Sequence, residues 1–328
     1  MKQRIVLSCL FVLGLLSAQL HAQIQIENLD QLDRIKNGTT YIVMKNPEAE
    51  KSQPYIEIFK KYWTISDFKF IKYSEIENYI AEENSFFTIG GYETNTQFMK
   101  LYSDGSQRSG INYSNTHLYL ELWLGSEKYF KKKKGEEFED DDKVQVARIE
   151  LFTDFVTLSN PDFLYFADYD HNYHIRNWSP GVLKNYLQTL SSLLDSKKER
   201  SLFENIHKHK DLKKLKRKTL YVPDYTLIKF NKFTGNESKR LKEEKIFKKY
   251  PFKYKLIDME DLSKKILDPN EEPFYYLIYI KSSTDKFLTV INSQTGEWIY
   301  TDYSPISYNI KDKDLKELAK KIGKKKKK

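Results

Sequence analysis

Residues 246–266, IFKKYPFKYKLIDMEDLSKKI, decide the fold, because most of their pattern occurs once before in the same chain. Ile58-Phe59-Lys60-Lys61-Tyr62 repeats as Ile246-Phe247-Lys248-Lys249-Tyr250. Shortly after each copy, KFIKYSEIENYI (69–80) aligns without gaps to KLIDMEDLSKKI (255–266). Apolar positions coincide at Phe70/Leu256, Ile71/Ile257, Tyr73/Met259, Ile76/Leu262 and Ile80/Ile266. A shared order of apolar positions over two elements implies a shared order of buried faces, so the flanking segments are read in parallel.

In the first copy, Tyr41 to Met44 reads as a strand, and a helix from about Ser52 puts Tyr55, Ile58, Phe59 and Tyr62 on one face. Phe68 to Ile71 is a second strand. Ser74 with Glu77 forms an S-x-x-E capping box, which starts a short helix running to about Ala81. A third strand, Phe86 to Ile89, is expected to end at Gly90-Gly91. After a polar insertion (93–116), leucines at 118, 120, 122 and 124 alternate with Tyr119, Glu121 and Trp123, the pattern of a half-buried strand. Val144 to Phe152 is its antiparallel partner, joined through KKKKGEEFEDDD (131–142), which reads as a solvated, charged hairpin tip. Ser179-Pro180 supplies a cap and a first-turn proline for a helix with a face of Leu183, Tyr186, Leu187, Leu190, Leu193 and Leu194.

The second copy gives a strand near Leu220 to Val222, a helix near Ser238 to Tyr250, a strand at Tyr254 to Ile257 and a helix at Met259 to Leu267. The apolar run Phe274 to Ile280 reads as a strand covered on both faces. Phe287 to Ile291 and Trp298 to Tyr303 form a hairpin around Ser293 to Gly296, Gly296 being the permissive turn residue. Leu315, Leu318, Ala319 and Ile322 mark a closing helix. The fold class is therefore α/β (α+β), with two tandem β-α-β-α-β-β-β-α units, each a mixed sheet carrying helices. The expected division is 1–22 signal peptide, 23–194 first unit, 195–218 basic linker, 219–322 second unit and 323–328 lysine tail.

This order of elements resembles the small α/β domain in the N-terminal part of the Tol system translocation protein, and the related module of curli-secretion-type envelope lipoproteins. The residues that carry the resemblance are the helix before FKFI (68–71) or YKLI (254–257), the acidic helix starts SEIENYI and MEDLSKKI, FFTIGG (86–91), and VINSQTGEWIY (290–300). The second copy departs from it, with Tyr279-Ile280-Lys281 in place of glycine after its third strand. The resemblance implies a cell-envelope compartment and a protein-binding or assembly role.

The N-terminus points to the same compartment. Lys2 and Arg4 precede an apolar run, Ile5 to Leu16, and Leu20-His21-Ala22 offers a small residue for cleavage, the layout of a secretory signal. That run is about a dozen residues, short of the ~20 needed to span a bilayer. Cys9 is the single cysteine, so a chain cleaved after Ala22 has neither disulfides nor thiol chemistry. The formal charge of +9 owes most of its excess to Lys2, Arg4 and the tail Lys324 to Lys328. The body is nearly balanced, which argues against nucleic acid as a partner. The tail reads as a solvated end capable of weak attraction to an anionic surface. The expected partner is another envelope protein, with no transmembrane span after cleavage.

Chemistry-bearing motifs are sparse. No G-x-S-x-G elbow, no P-loop and no dinucleotide fingerprint occurs, so no catalytic residue and no cofactor is expected. FADYDHNYHIRNW (166–178) gathers Asp168, Asp170, His171 and His174, the oxygen and imidazole ligands a zinc-like ion would need. These four are the candidate metal ligands, and a metal-dependent hydrolase centred on them is the alternative to a non-enzymatic binding module. Loop chemistry explains the same stretch, since Asp and Asn cap turns. His207 and His209 lie among lysines and read as part of the solvated linker, while His117 shows no partner in the sequence. Tyrosine (24) and phenylalanine (20) are abundant enough to supply both core and surface contacts, with Tyr102, Tyr113, Tyr169 and Tyr173 as surface candidates.

Overall fold

The computed structural model describes residues 23–131, 137–154, 157, 175–202, 204–231, 237, 239–282, 285–305 and 307–323, with backbone alone over 93–101 and 107–116. Two mixed sheets of six strands each are covered by helices, and the two sheets have one topology. The first unit contains β1 (Ile24–Ile26), α1 (Leu32–Asn37), β2 (Thr39–Met44), α2 (Gln53–Tyr62), β3 (Asp67–Lys72), β4 (Asn84–Leu101), β5 (Gln107–Gly125), α3 (Glu127–Lys131), β6 (Lys143–Leu151) and α4 (Pro180–Asp195). The second contains β7 (Ile206–His207), α5 (His209–Leu212), β8 (Leu220–Pro223), the small ladder β9 (Ile228–Lys229) and β10 (Lys239–Arg240), and α6 (Glu243–Ile246). It continues with β11 (Tyr254–Ile257), α7 (Met259–Leu267), β12 (Tyr275–Ser282), β13 (Asp285–Asn292), β14 (Trp298–Ser304) and α8 (Asp312–Gly323).

The sheet orders are β3-β2-β4-β5-β6-β1 and β11-β8-β12-β13-β14-β7. In each, the first three strands listed pair in parallel and the rest antiparallel. The repeat holds at residue level. Tyr41 pairs with Phe86 and Tyr221 with Tyr276. A β-bulge falls between Leu122 and Trp123 in one unit and between Val290 and Ile291 in the other, which are equivalent positions when the strands are matched by register.

This register revises the expected division. The stretch 195–218 is not a solvated linker: Arg200 bridges to Ile26, Ile206 and His207 form the edge strand on β14, and Leu212 and Leu215 are fully buried. Those residues are the counterparts of β1 and α1, so the second unit starts with β7. LDRIKNGTTYIV (32–43) aligns without gaps to LKKLKRKTLYVP (212–223), and the buried pair Leu32 and Ile35 recurs as Leu212 and Leu215. The lysines there are solvated; the leucines between them are core.

Other expectations also shift. The helix expected over 238–250 contracts to α6 and a 3-10 turn, Phe247–Lys249, because β9 and β10 occupy the preceding chain. Ile246 and Phe247 remain buried, as Ile58 and Phe59 are in α2. The segment after β3 is a 3-10 helix, Tyr73–Tyr79, capped two residues earlier than the Ser74 box: the Lys72 N–H donates to Glu75 Oε2 at 2.7 Å. Gly90-Gly91 does not end the third strand, which continues to Leu101. The strand Leu118 to Leu124 is covered on both faces, not one. Its leucines join the main core, and Trp123 stacks on Phe86 in a second small core roofed by Tyr73, Ile76, Tyr79, Ile80 and Phe138. Phe138 and the buried Asp142 therefore seat part of the charged tip, which is not wholly solvated.

One apolar core runs through both units, from Ile24 to Ile322. The helix α4 joins them. Ser179 Oγ caps it at Val182 N (3.3 Å), and the expected leucine and tyrosine face is buried throughout. Each such leucine contributes about 1.5–3 kcal/mol relative to exposure. The opposite side of α4 faces the second unit: Asn185 donates to the Ser293 carbonyl at 2.9 Å and accepts from the Tyr276 hydroxyl at 2.8 Å, and Thr189 donates to the Gly296 carbonyl at 2.5 Å. Gly296 has φ +71°, and a Cβ there would lie 2.4 Å from the Asn185 carbonyl oxygen. It is thus required by the turn and by the closeness of the helix. No helix among the described residues is long and apolar enough to cross a membrane.

Candidate functional site

The chemistry-bearing side chains gather where the ends of the two β-hairpins meet. On the first sheet, Gly91 pairs with Leu118, and Tyr92 with His117. β6 reaches only to the Leu118–Leu151 pair, and β2 covers β4 only over Asn84 to Phe87. Beyond that point β4 and β5 continue as a two-stranded ribbon to the Leu101–Gln107 pair. At about 3.4 Å per residue it extends roughly 30 Å. Its tip is a tight turn in which Ser106 N donates to Asp104 Oδ1 at 2.9 Å and Gly105 takes φ +81°. Among the described residues nothing pairs with either outer edge. The polar insertion is therefore a ribbon.

At the ribbon's root lies a polar node shared by both units. Arg148 Nε donates to Glu150 Oε1 at 2.6 Å, Ser282 Oγ donates to Glu150 Oε2 at 2.9 Å, and His117 Nδ1 lies 3.0 Å from Ser282 Oγ. The Arg148 guanidinium lies 3.9 Å from the centre of the Tyr119 ring, and Tyr92 stacks on His117 at 4.4 Å. Glu150, Ser282 and His117 are all buried, whereas Tyr92 is 44% exposed. Burial pushes the Glu150 carboxyl up, with Arg148 and Ser282 pulling the other way. Burial first, then Arg148, pulls His117 down to about 4.

That geometry decides what the node can do. A nucleophilic serine must give its proton to the histidine. Ser282 has one hydroxyl proton and gives it to Glu150, so neutral His117 donates from Nδ1 to the Ser282 oxygen. The node is a positioning device: it ties the ribbon's root to the last residue of β12. Sequence reading missed His117's partner because it lies 165 residues away.

Two further buried charges lie nearby on the second sheet. Lys281 Nζ sits 3.5 Å from the centre of the Phe230 ring and 4.0 Å from Glu237 Oε1, while Arg176 donates to Glu237 Oε2 at 2.6 Å. Burial brings Lys281 down to about 8. Lys286, fully buried, donates to Asp314 Oδ2 at 2.5 Å and so fastens α8 to the sheet. Each charge is met by an opposite one, the condition for tolerating it inside.

The four expected metal ligands, Asp168, Asp170, His171 and His174, lie outside the described residues, as do Tyr169 and Tyr173. No group of three or more His, Cys, Asp and Glu among the described residues is placed to hold a metal ion. His207 belongs to β7, with its ring 5.3 Å from Tyr300, and is no solvated linker residue. The class defined is an α/β protein of two sheets with one repeated topology. No family model, curated protein or solved structure matches the chain.

Proposed function

We propose that this is an exported protein of the bacterial cell envelope, periplasmic or outer-membrane-associated, that serves as a non-enzymatic binding and assembly module. The observation that carries the reading is the ribbon. Two long strands with both outer edges unpaired among the described residues offer backbone N–H and C=O groups to a further strand, the basis of recognition by strand addition. The node at its root holds it to the body, which lowers the ordering cost of binding. The partner is an extended segment of another envelope protein. The signal-like start of the chain and the resemblance to envelope modules support the compartment.

Two experiments test this. Fractionation of cells producing the full chain should recover from the envelope or periplasm a protein shorter by residues 1–22; a full-length cytoplasmic protein would overturn the compartment. A photo-cross-linking residue at Thr94 or Asn115 should give a discrete protein adduct, and one at Lys264 on α7 should not. Replacing residues 93–116 by Ser-Thr, as at 283–284, should abolish co-purification of that adduct's partner. Equal adducts at all three positions, or unchanged co-purification after the excision, would refute the ribbon as the binding element.

A further inference from the structure

Charge is divided unevenly between the units. Residues 23–195 hold 19 Lys and Arg against 27 Asp and Glu, a net −8, whereas 196–323 hold 29 against 19, a net +10. The near-balance of the body is thus the cancellation of two opposed halves. Within the second unit the excess is confined further. The segments 208–218, 242–249 and 311–323 carry 16 cations and 6 acids, again +10, so the rest of the unit is neutral. These three segments form one layer of the fold. α8 packs against α5 and the 3-10 turn Lys213–Lys216 that follows it, and against α6 and the turn Phe247–Lys249.

Helix geometry separates the two sides of that layer. Leu315, Leu318 and Ile322 are fully buried, while Lys313, Lys316 and Lys320 lie exposed on the opposite stripe of α8. Leu212, Leu215, Ile246 and Phe247 are likewise buried, and Lys216, Arg217, Lys245 and Lys248 exposed. Four of the acids are already met: Asp211 by Lys214, Asp312 by Lys249, Glu317 by Lys320 and Asp314 by Lys286. Lys216, Arg217, Lys245, Lys248, Lys313 and Lys316 make no ion pair among the described residues.

The repeat accounts for a polar stripe here, but not for its single sign. Leu183, Tyr186, Leu187 and Leu190 of α4 align without gaps to Leu315, Leu318, Ala319 and Ile322 of α8. The positions of α4 that bond to the second unit, Gly181, Asn185, Gln188 and Thr189, then fall on Lys313, Glu317, Lys320 and Lys321. An outer repeat needs a polar outer side. Mixed charges meet that need, as on α7, where Lys264 pairs with Glu260. Gathering one sign on one face adds self-repulsion, which an opposite surface relieves.

The nature of that surface follows from what the face lacks. Among the described residues the exposed large apolar side chains are Tyr92 and Leu267, and neither lies in the three segments. A stable protein interface has an apolar centre, and single-stranded nucleic acid needs rings on which its bases stack. The 16 cations are 15 lysines and one arginine. Lysine is a point charge without the bidentate fork that reads a base pair. Lysines spread over three helical segments suit a diffuse sheet of charge, such as lipid headgroups, to which each nearby lysine adds about fivefold in affinity.

We propose that this lysine face of the second unit binds the surface of an anionic phospholipid bilayer, peripherally and without insertion. The same surface repels the first unit, so the chain docks in one orientation, second unit inward. The inference rests on the charge of the folded second unit, and so stands apart from the ribbon and from export.

The test is co-sedimentation with vesicles of phosphatidylcholine, alone or with about one third phosphatidylglycerol, at ~0.1 M and ~0.5 M sodium chloride. The chain from Gln23 onward holds every strand and helix described and leaves out the apolar run Ile5 to Leu16. It should bind the anionic vesicles alone, and release them at the higher salt. Lys245→Gln, Lys248→Gln, Lys313→Gln and Lys316→Gln together should weaken binding about a hundredfold. Lys60→Gln, Lys61→Gln, Lys69→Gln and Lys128→Gln together make the same change in net charge on the first unit, and should leave binding within about threefold. Removing residues 324–328 should leave salt-sensitive binding in place. Equal binding to both vesicles, equal weakening by the two quadruple variants, or complete loss on removing the tail overturns the proposal. So does tighter retention of duplex DNA than of vesicles that the first variant loses. A salt-sensitive dimer that the first variant dissolves, in place of vesicle binding, would give the face to the acidic unit of a second copy and also overturn it.

Discussion

The central hairpins of the two sheets are the same structure treated in two ways. β12 and β13 pair as far as Ser282 and Asp285, with two residues between them. β4 and β5 reach the equivalent pair, Tyr92 and His117, and go on to Leu101 and Gln107. Up to that pair the units share strand order, register and even the bulge. Beyond it one hairpin is closed and the other extended. The two ends meet, since Ser282 of the short hairpin bonds to His117 at the root of the long one. Duplication thus supplied a body, and a single insertion supplied an appendage rooted on the other copy.

If the node fixes that root, removing its charge centre has the largest effect. Glu150→Ala leaves Arg148 inside without its carboxylate, and breaking a buried pair costs about 3–5 kcal/mol. Urea unfolding should show that loss. The double variant Arg148→Met with Glu150→Leu should recover most of it, because no lone charge stays behind. At the equivalent positions of the second sheet, Thr301 and Tyr303 involve no ion pair with each other, which shows that the topology itself does not require one. A double variant as unstable as the single one would mean that packing, and not charge, dominates the root.

The next effect separates the hairpins by pH. His117 is held at about 4 against an ordinary 6.5. Asp285, its counterpart, is shifted up by burial. For His117, the unfolded chain takes up its proton near 6.5 and the folded one only near 4. Its contribution is complete above pH 6.5 and is lost as pH falls to 4, by about 3 kcal/mol in all. Arg148 and Glu150 from β6, Tyr92 from β4, Tyr119 from β5 and Ser282 from β12 face it, and Glu150 titrates with an opposite sign. The diagnostic is therefore the difference between wild type and His117→Asn across pH 7 to 4. A flat difference would show that the imidazole is solvated.

Ser282→Ala comes third. It removes one hydrogen bond to a carboxylate and one to His117, and should cost about 1.5–3 kcal/mol. The fall in stability should be accompanied by a further downward move of the His117 titration, because its Nδ1–H loses its acceptor, followed by its ring carbon-bound protons in NMR. An unmoved titration would mean that the hydroxyl does not orient the ring.

These contrasts mark what the sequence could reveal. The gapless match of 69–80 to 255–266 was legible because burial in equivalent strands and helices imposes the same apolar spacing. The TGEW turn was legible because its glycine has a backbone reason. The start of the second unit was obscured: Leu212 and Leu215 sit among lysines whose charge masks two core positions. The ribbon was obscured for the converse reason, since its sequence carries no apolar alternation and reads as loop. The node joins residues from both units, and no local pattern records such a meeting. Gly90 is a case where the residue was visible but its cause was not. A Cβ there would lie 2.4 Å from Glu121 Oε1, so the glycine serves a side chain on the next strand, whereas a strand end was the natural sequence reading.

The smallest stability effect belongs to the largest change. Replacing residues 93–116 by Ser-Thr, the two residues that lie in sequence between β12 and β13, removes the whole ribbon. A two-stranded ribbon is marginally stable at best by itself, and shortening a connection regains only a slowly varying closure entropy. The pairs that hold β4 to β2 and β5 to β6 all lie on the body side of Tyr92 and His117. The excised chain should therefore unfold within about 1 kcal/mol of the original, with one cooperative transition, because both hairpins then have the form already present in β12 and β13. Should the excision instead cost several kcal/mol, the ribbon would be folding back to support the body. Its edges would then not be available to a partner. A small change in stability together with loss of binding is the combination that a strand-addition appendage requires, and no part of the common core would produce it.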